Sequence, residues 1–472
     1  MSITETTIDF NTFEKKIYAY YCAKGREMLR DALEGYDGEL RLSRDFKAYR
    51  HKGTRKTVIK TVMGEVEFRR AVYETHDDEG RKSYVYLLDD ALGRSGSGFF
   101  SEFLSEEIAR ACCNGSYRNA AREVSELTGQ TLSHTAAWNV VQNLGERVDA
   151  QESQAAALAA KNEGVGTVEA KLLFEEQDGV WLHLQGKDRE EHGKSKEMKL
   201  AIAYNGAEKK GKKRYELTNK VACANFESVG KFQKRKEGII AQTYNVDEIE
   251  KRFLNGDGAS WIKRAITDDN VYFQLDPFHR NKAIVSAAPD ANSKKTMLKL
   301  LYAKKIDELL TYIDALANSV EDEAAQTSLR ALYTYFVGNR DGLVPCHRKG
   351  LAVPAPPDGV EFRHMGAMES NVFTIIGNRM KGRRACWSVD GGNNLARLLC
   401  LKSTAKLHDS LQKLSSASLP EKYTEEINVA MSSAKAPKAD GKGFEPCHAG
   451  ALPATPKWKA MRGIGKAMPM FS

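Results

Sequence analysis

Between Gly164 and Asp276 the hydrophobic pattern changes period once, and that change constrains the fold more than any other feature of the chain. "VEAKLLFEEQDGVWLHLQG" has an apolar run from Leu172 to Phe174, a turn signal at Asp178-Gly179, then alternating Val180, Leu182 and Leu184. "EMKLAIAYNG" reads as a second strand and "RYELTNKVACANF" as a third. Next come a helical pattern over 228–243, a strand running into Asp257, helical spacing from Ala259, and "NVYFQLDPFH", a strand reaching Asp276. Antiparallel strands followed by strands alternating with helices predict an α/β structure with a mixed sheet. Residues 283–361 interrupt it. Their Leu and Ile positions recur every three or four residues and the stretch ends in "VPAPPDG", the mark of a helical insertion. The α/β texture resumes with "ESNVFTIIGNRMKGRR", a helix starting near Glu369.

Upstream, residues 12–35 read as an amphipathic helix closed by Gly35, and a hairpin is expected around Met63-Gly64, with "KSYVYLL" as a third strand. Residues 99–149 are helical in pattern, with breaks at Asn114-Gly115 and Thr128-Gly129 and N-caps at Ser116 and Ser133. Short helices across a glycine-containing turn fit a helix-turn-helix, with a plain helical bundle as the alternative. In the first reading Ser133, His134, Thr135 and Asn139 open a recognition helix, and Arg118 and Arg122 meet phosphates. The expected organisation is therefore a helix plus small β region (1–98), a helix-turn-helix region with a polar, Ala-rich linker helix (99–163), a first core segment (164–282), the helical insertion (283–361), a last core segment (362–405) and a basic tail (406–472).

Charge points to the partner. The net charge is +8, with basic blocks at Lys209–Arg214, Lys231–Lys236 and Arg379–Arg384 and seven Lys or Arg against two acids from Ser433 to Ser472. Several such blocks favour a polyanion, nucleic acid before membrane, because neutralising phosphates releases counterions. No stretch approaches the ~20 apolar residues of a bilayer span, and the N-terminus lacks the order of a secretory signal. A cytoplasmic protein is expected, nucleoid-associated when bound to DNA. The eight cysteines form no C-x-x-C pair, so reduced thiols are expected. Cys346-His347 and Cys447-His448 invite a zinc reading, but adjacent side chains rarely share one ion. Trp261 and Trp387 are expected in the core, with base stacking as the lesser alternative.

Three acids stand at predicted element ends. Asp257 lies between Gly256 and Gly258, Asp178 precedes Gly179, and Glu369 opens a helix. Each has an ordinary explanation as a turn or cap residue. Together they fit another: two divalent ions held by carboxylates about 3.5–4 Å apart can clamp the attacking and leaving oxygens of a phosphodiester displacement. With 63 acids in the chain, spacing alone cannot select these three.

Local strings can. "DGVWLHLQG", "GDGASWIK", "LDPFHRNK" and "MGAMESNVFTIIGNRMKGRRACWS", in that order, resemble the insertion-sequence transposases of the ISLre type, DDE-class enzymes similar to the Mutator-like group. "KTVMGEVEFRR", "YVYLLDDALG" and "SYRNAAREVSE" extend the resemblance over roughly residues 55–400. It implies an RNase H-like catalytic core in which Asp178, Asp257 and Glu369 bind Mg²⁺, with Mn²⁺ as a substitute. Glu175 and Glu176 compete with Asp178 for the first position. The resemblance further places Asn378, Arg379, Lys381 and Arg383 against element-end DNA and His279 near the scissile phosphate, although Asp276-Pro277 before it also has the form of a helix cap. The function implied is a DNA transposase, cutting element ends and joining them to target DNA as a dimer or higher oligomer. The alternatives are a non-catalytic DNA-binding regulator derived from one and a structure-specific nuclease with the same core.

Overall fold

The computed structural model describes residues 8–76, 79–93, 100–212, 214–382, 384–414, 418–425 and 427–428. The chain forms two compact units, Met1–Ala417 and Ser418–Ser472; of the second, a short 3-10 turn at Glu421–Thr424 is described. The basic run from Ser433, Cys447-His448 and Trp458 lie outside the described residues.

The first unit opens with the helix Phe10–Ser43, then a three-stranded antiparallel sheet of β1 (Arg50–Thr61), β2 (Gly64–His76) and β3 (Lys82–Val85). The hairpin forms where Met63-Gly64 predicts it, with Thr61 opposite Gly64. Gly35 does not end the helix. A mid-helix glycine costs about 1 kcal/mol, and packing on β2 offsets it: Leu33 is buried, and Glu34 and Asp37 accept hydrogen bonds from the N–H groups of Arg69 and Ala71. These carboxylates satisfy an edge of β2 that the short β3 leaves open.

Helices Glu102–Asn114, Tyr117–Thr128 and His134–Ala159 follow, with Ser116 and Ser133 capping as expected. The stretch read as a linker is the second half of the last helix. Its Glu152 and the preceding Asp149 are bridged by Arg235 and Arg397 from two other helices, which fixes it to the core.

The main sheet contains β4 (Leu172–Leu184) and β5 (Ser195–Tyr204). Two small strands, β6 (Ala207–Lys209) and β7 (Tyr215–Leu217), precede β8 (Val221–Asn225), β9 (Lys251–Gly256) and β10 (Val271–Leu275), with β11 (Val360–Glu361) and β12 (Cys386–Trp387) later in the chain. Across the sheet the order is β10-β9-β4-β5-β8, with β12 beside the end of β4; β6, β7 and β11 make a separate small sheet. β4, β5 and β8 are antiparallel neighbours, whereas β9 and β10 run parallel to β4. "RYELTNKVACANF" thus supplies two strands in two sheets.

Asp178-Gly179 is not a turn. β4 is one strand, laddered to β5 from Phe174–Tyr204 through Asp178–Leu200 and Gly179–Lys199 to His183–Ser195. Strand pairing overrides the turn preference of Asp-Gly. The block Lys231–Lys236 is a second correction, because half of it faces inward. Arg235 and Lys236 are buried on the helix Val229–Ala241, and Lys236 pairs with Glu175 at 2.5 Å. These cations neutralise internal acids.

The insertion forms helices Ala291–Tyr302, Ile306–Ser319 and Glu323–Gly338, whose Leu309, Ile313, Leu329 and Phe336 share a core with Phe273 and Leu275 of β10. The chain then returns over the other sheet face as Met368–Asn371, a π-helical stretch Val372–Lys381, and the helix Val389–Ser403. The helix Leu407–Leu414 also buries Leu407 and Leu411 in this core, so the folded unit runs past the expected start of the tail at 406. No described helix is long and apolar enough to cross a membrane.

Candidate active site

Side chains alternate across a strand, so the even positions of β4 share one face. Leu172, Phe174, Val180, Leu182 and Leu184 bury there, and Glu176 and Asp178 interrupt them. Glu176 is wholly buried. It accepts hydrogen bonds from the Tyr204 hydroxyl (2.6 Å), the Asn255 amide (3.0 Å) and the backbone N–H groups of Gly366 (3.0 Å), Ala367 (3.1 Å) and Met368 (3.2 Å). One carboxylate thereby seats the start of the helix Met368–Asn371, whose second residue is Glu369. Asp178, two residues beyond Glu176 on β4, then converges with Glu369 and His279: their ligand atoms all lie within 4.8 Å of one another.

Asp257 follows the last residue of β9. The pairing of Glu176 with Asn255, continued by two residues, sets Asp257 level with Asp178. It is outside the 4.8 Å group, which is Asp178, His279 and Glu369 among the described residues. Its Oδ1 accepts from the Ala259 N–H at 2.9 Å, so the ordinary turn role is filled too. The two glycines answer to crowding. A Cβ at Gly256 would meet Ile262 at 2.8 Å, and Gly258 has φ +88° with Asn339 2.4 Å from where its Cβ would be. The insertion supports this loop, with the Tyr335 hydroxyl donating to the Asp257 carbonyl at 2.6 Å.

Asp276 caps the helix Pro277–Ala287, accepting from the N–H groups of Phe278 and His279 with Pro277 in the first turn, as its sequence predicts. The cap does more than end a strand. Its Oδ1 also lies 3.2 Å from His279 Nδ1, which favours the proton on Nδ1 and leaves Nε2 as the ring nitrogen able to ligate or accept. Asn255 donates to both Glu176 and Asp276, joining the supports of Glu369 and His279.

Burial pushes the Asp178 carboxyl up to about 6, with Asp257 and Glu369 adding to the shift and the Gly179 N–H and His279 opposing it. The hydrogen bond to Asp276 raises the His279 pKa, against burial. Several carboxylates gathered at one half-buried place form a site whose charge a divalent cation would neutralise. Two carboxylates and an imidazole suit Mn²⁺ as well as Mg²⁺, which itself needs only one or two carboxylates. Asp276→Ala is expected to weaken Mn²⁺ binding about 10–100-fold by freeing the imidazole, and to cost about 1 kcal/mol of stability as a lost cap. Calorimetric Mn²⁺ titration and urea denaturation read the two effects.

The other expected site residues divide. Arg118, Arg122, Ser133, His134 and Asn139 are exposed, as are Asn378 and Lys381; Arg383 lies outside the described residues. Arg379 is half-buried, donates to the Cys112 carbonyl at 2.7 Å and sits 5.3 Å from the rings of both Tyr117 and Trp387, so it serves packing. Trp261 and Trp387 are core residues. Glu175 is spent on Lys236 and Arg252, which leaves Asp178 as the acid of this strand in the cluster. Cys346 is buried and the His347 ring lies tilted against that of His364, 4.3 Å between centroids, without a third ligand among the described residues.

Comparison with known proteins adds relatives. A UPF0236 protein from Streptococcus gallolyticus, named for the region 3′ of vanSb, is 23% identical over 404 residues, covering 84% of each chain. Another, from Caldanaerobacter subterraneus subsp. tengcongensis, has a name joining eleven locus designations; it is 22% identical over 349 residues, 73% of this chain and 68% of that one. Among solved structures, the Drosophila P element transposase strand transfer complex aligns with 74% of this chain and 90% of that chain, at 11% identity and a TM-score of 0.24, too low to carry an argument. The match to the uncharacterised protein family UPF0236 spans residues 3–411, and the chain belongs to that family.

Proposed function

We propose that this chain is an insertion-sequence DNA transposase of the DDE class, related to the ISLre type. The observation that carries the reading is the convergence of Asp178, Glu369 and His279, from three elements far apart in sequence, with Asp257 just past the end of the adjoining strand. Two further features support it. Numbered in chain order, the main sheet runs fifth, fourth, first, second, third, with the first three strands antiparallel and the last two parallel to the first, as in an RNase H-like core. A relative named for eleven loci of one organism also fits a gene that copies itself.

In this reading Asp178, Asp257 and Glu369 hold Mg²⁺, or Mn²⁺ in its place. Bound there, divalent ions supply Lewis-acid activation of water and neutralise charge at the phosphate. His279, anchored through Nδ1, positions the phosphate or the water. Water attacks phosphorus, the P–O3′ bond breaks, and a 3′-hydroxyl is freed. That hydroxyl then attacks a target phosphate and displaces the target's own 3′-hydroxyl. Exposed Arg118, Arg122, His134 and Asn139 on the preceding helices bind duplex DNA, and two copies of the chain bring two ends together.

The test is cleavage of duplexes carrying the DNA that flanks this gene, with Mg²⁺ or Mn²⁺. Nicks ending in 3′-hydroxyls and joined target products are expected, and Asp257→Asn should remove both while DNA binding and folding persist. Undiminished cutting by Asp257→Asn refutes the reading; cutting without joining reduces it to a nuclease.

A further inference from the structure

A second polar feature lies behind the segment that carries Glu369. A cleft of about 800 Å³ starts at Ser370, next to Glu369, and is walled by residues 363–374, β7 and the turn after the helix Val389–Ser403. It continues into a smaller cleft of about 240 Å³ that reaches Asn378, sharing Lys220, Thr374 and Lys402 with it. Four cations line the larger cleft (Lys220, Arg363, Lys402 and Lys406) against one acid, Glu216.

Three of these cations have neutral partners. Lys220 donates to Asn371 Oδ1 at 3.2 Å, Lys406 to Thr243 Oγ1 at 3.0 Å, and Lys402 to Asn114 Oδ1. Each partner is a neutral oxygen, and none of the three ammonium groups has a carboxylate in ion-pair contact among the described residues. Burial lowers the pKa of both Lys220 and Lys406. Buried Arg235, by contrast, is paired with Glu227, Asp149 and Glu152. Lys220 and Lys406 are half-buried, and such ammonium groups without a counter-charge are unfavourable unless an anion completes them; Lys402 is exposed beside them. At the mouth of the cleft the Arg363 guanidinium sits 3.6 Å from the centre of the Tyr215 ring, a flat cationic and aromatic pair.

We propose that this cleft binds the phosphodiester backbone of a single nucleic-acid strand leading away from the metal cluster, with Lys220, Lys402 and Lys406 on the phosphates. The volume is that of a small-ligand pocket, room for a few nucleotides of one strand and none for a duplex. Ser370, the residue after Glu369, lines the cleft, so one helix carries both the metal-cluster acid and a wall of the cleft. Aromatic and cationic side chains along such a path bind single strands with little regard to sequence. The proposal rests on the nucleic-acid reading of the site, but its test does not use cutting.

The test is fluorescence anisotropy with the full-length chain in EDTA, using a short labelled single strand and a matched duplex. Lys220→Ala with Lys402→Ala and Lys406→Ala should lower single-strand affinity about tenfold or more and flatten the salt slope by about two, as expected for three phosphates. Duplex affinity should change less than about twofold. Because Lys402 is exposed, Lys402→Ala alone leaves the fold intact and should lower single-strand affinity about threefold; the triple Lys→Arg variant should keep it. Unchanged single-strand affinity and slope overturn the proposal. So does full displacement of the strand by inorganic phosphate at equal concentration, which would make the cleft a small-anion site. If strand binding is lost as expected while wild-type cutting is absent, the transposase reading fails and this one stands.

Discussion

Asp178→Asn is expected to abolish metal-dependent cutting, by about 10³-fold or more, and to make the metal-free protein more stable at neutral pH. In the proposed function the first effect follows from removing a charged ligand where charge would develop in the transition state. The second follows from burial. Asp178 has its pKa pushed up to about 6, from an ordinary value of 3.8. The folded chain therefore keeps this proton over a range in which the unfolded chain has lost it. Its contribution to stability is fully present below about pH 4, falls as the pH rises towards 6, and leaves a deficit above that. Two units correspond to at most about 3 kcal/mol, and because Asp178 is only half-buried a gain of about 1–2 kcal/mol is the expected size. Urea denaturation in EDTA at pH 5 and pH 7.5 should show the variant's advantage growing with pH. Adding Mn²⁺ should reverse the ranking, because binding to the folded state stabilises only the chain that retains the ligand. Equal stabilities of the two proteins at both pH values would mean that Asp178 is not strained by its surroundings. A site that destabilises its own fold until loaded is what a metal centre should look like.

How much of this was legible depends on whether the deciding interaction is local. The hairpin at Met63-Gly64, the caps at Ser116 and Ser133 and the Asp276-Pro277 start are contained within a few residues, and each formed as the sequence predicts. Asp178-Gly179 looked like a turn because a turn preference is local, whereas the ladder with Leu200 and Lys199 that overrides it is not. A stricter reading of period two was available: the even positions from Leu172 to Leu184 form one apolar face broken only at Glu176 and Asp178. Two acids on a buried face are a stronger signal than one acid before a glycine. The basic block at Lys231–Lys236 misled for the same reason in reverse. Arg235 and Lys236 neutralise Glu227, Glu152 and Glu175, partners that hydropathy and charge runs cannot identify. Likewise only resemblance distinguishes His279 in the sequence, because its proximity to Asp178 and Glu369 is tertiary.

Glu176→Gln is the substitution expected to do the most harm without touching a reacting atom. The carboxylate accepts from five donors: Tyr204, Asn255, Gly366, Ala367 and Met368. Burial raises its pKa, with those hydrogen bonds pulling the other way. An amide keeps the shape but replaces one acceptor oxygen with a donor, which must then face either Tyr204 and the Ala367 N–H or Asn255 and the N–H groups of Gly366 and Met368. Each buried donor left without an acceptor costs about 1–3 kcal/mol, so a loss of about 2–4 kcal/mol is expected. The damage has a direction, because three of the donors belong to the turn that presents Glu369, some 190 residues along the chain. If Glu176 positions Glu369, Glu176→Gln should weaken Mn²⁺ affinity and lower the cutting rate at saturating metal by about tenfold or more, since small displacements of a reacting group are costly. A merely stabilising role would leave both unchanged once the variant is assayed well below its melting temperature. The contrast with Asp178→Asn is the informative part. Both replace a carboxylate by an amide two residues apart on one strand face, yet the first should destabilise the metal-free fold and the second should stabilise it. The difference lies in what surrounds each acid: five donors that satisfy Glu176, and burial, with like charges adding to it, that leaves Asp178 short of partners until a cation arrives.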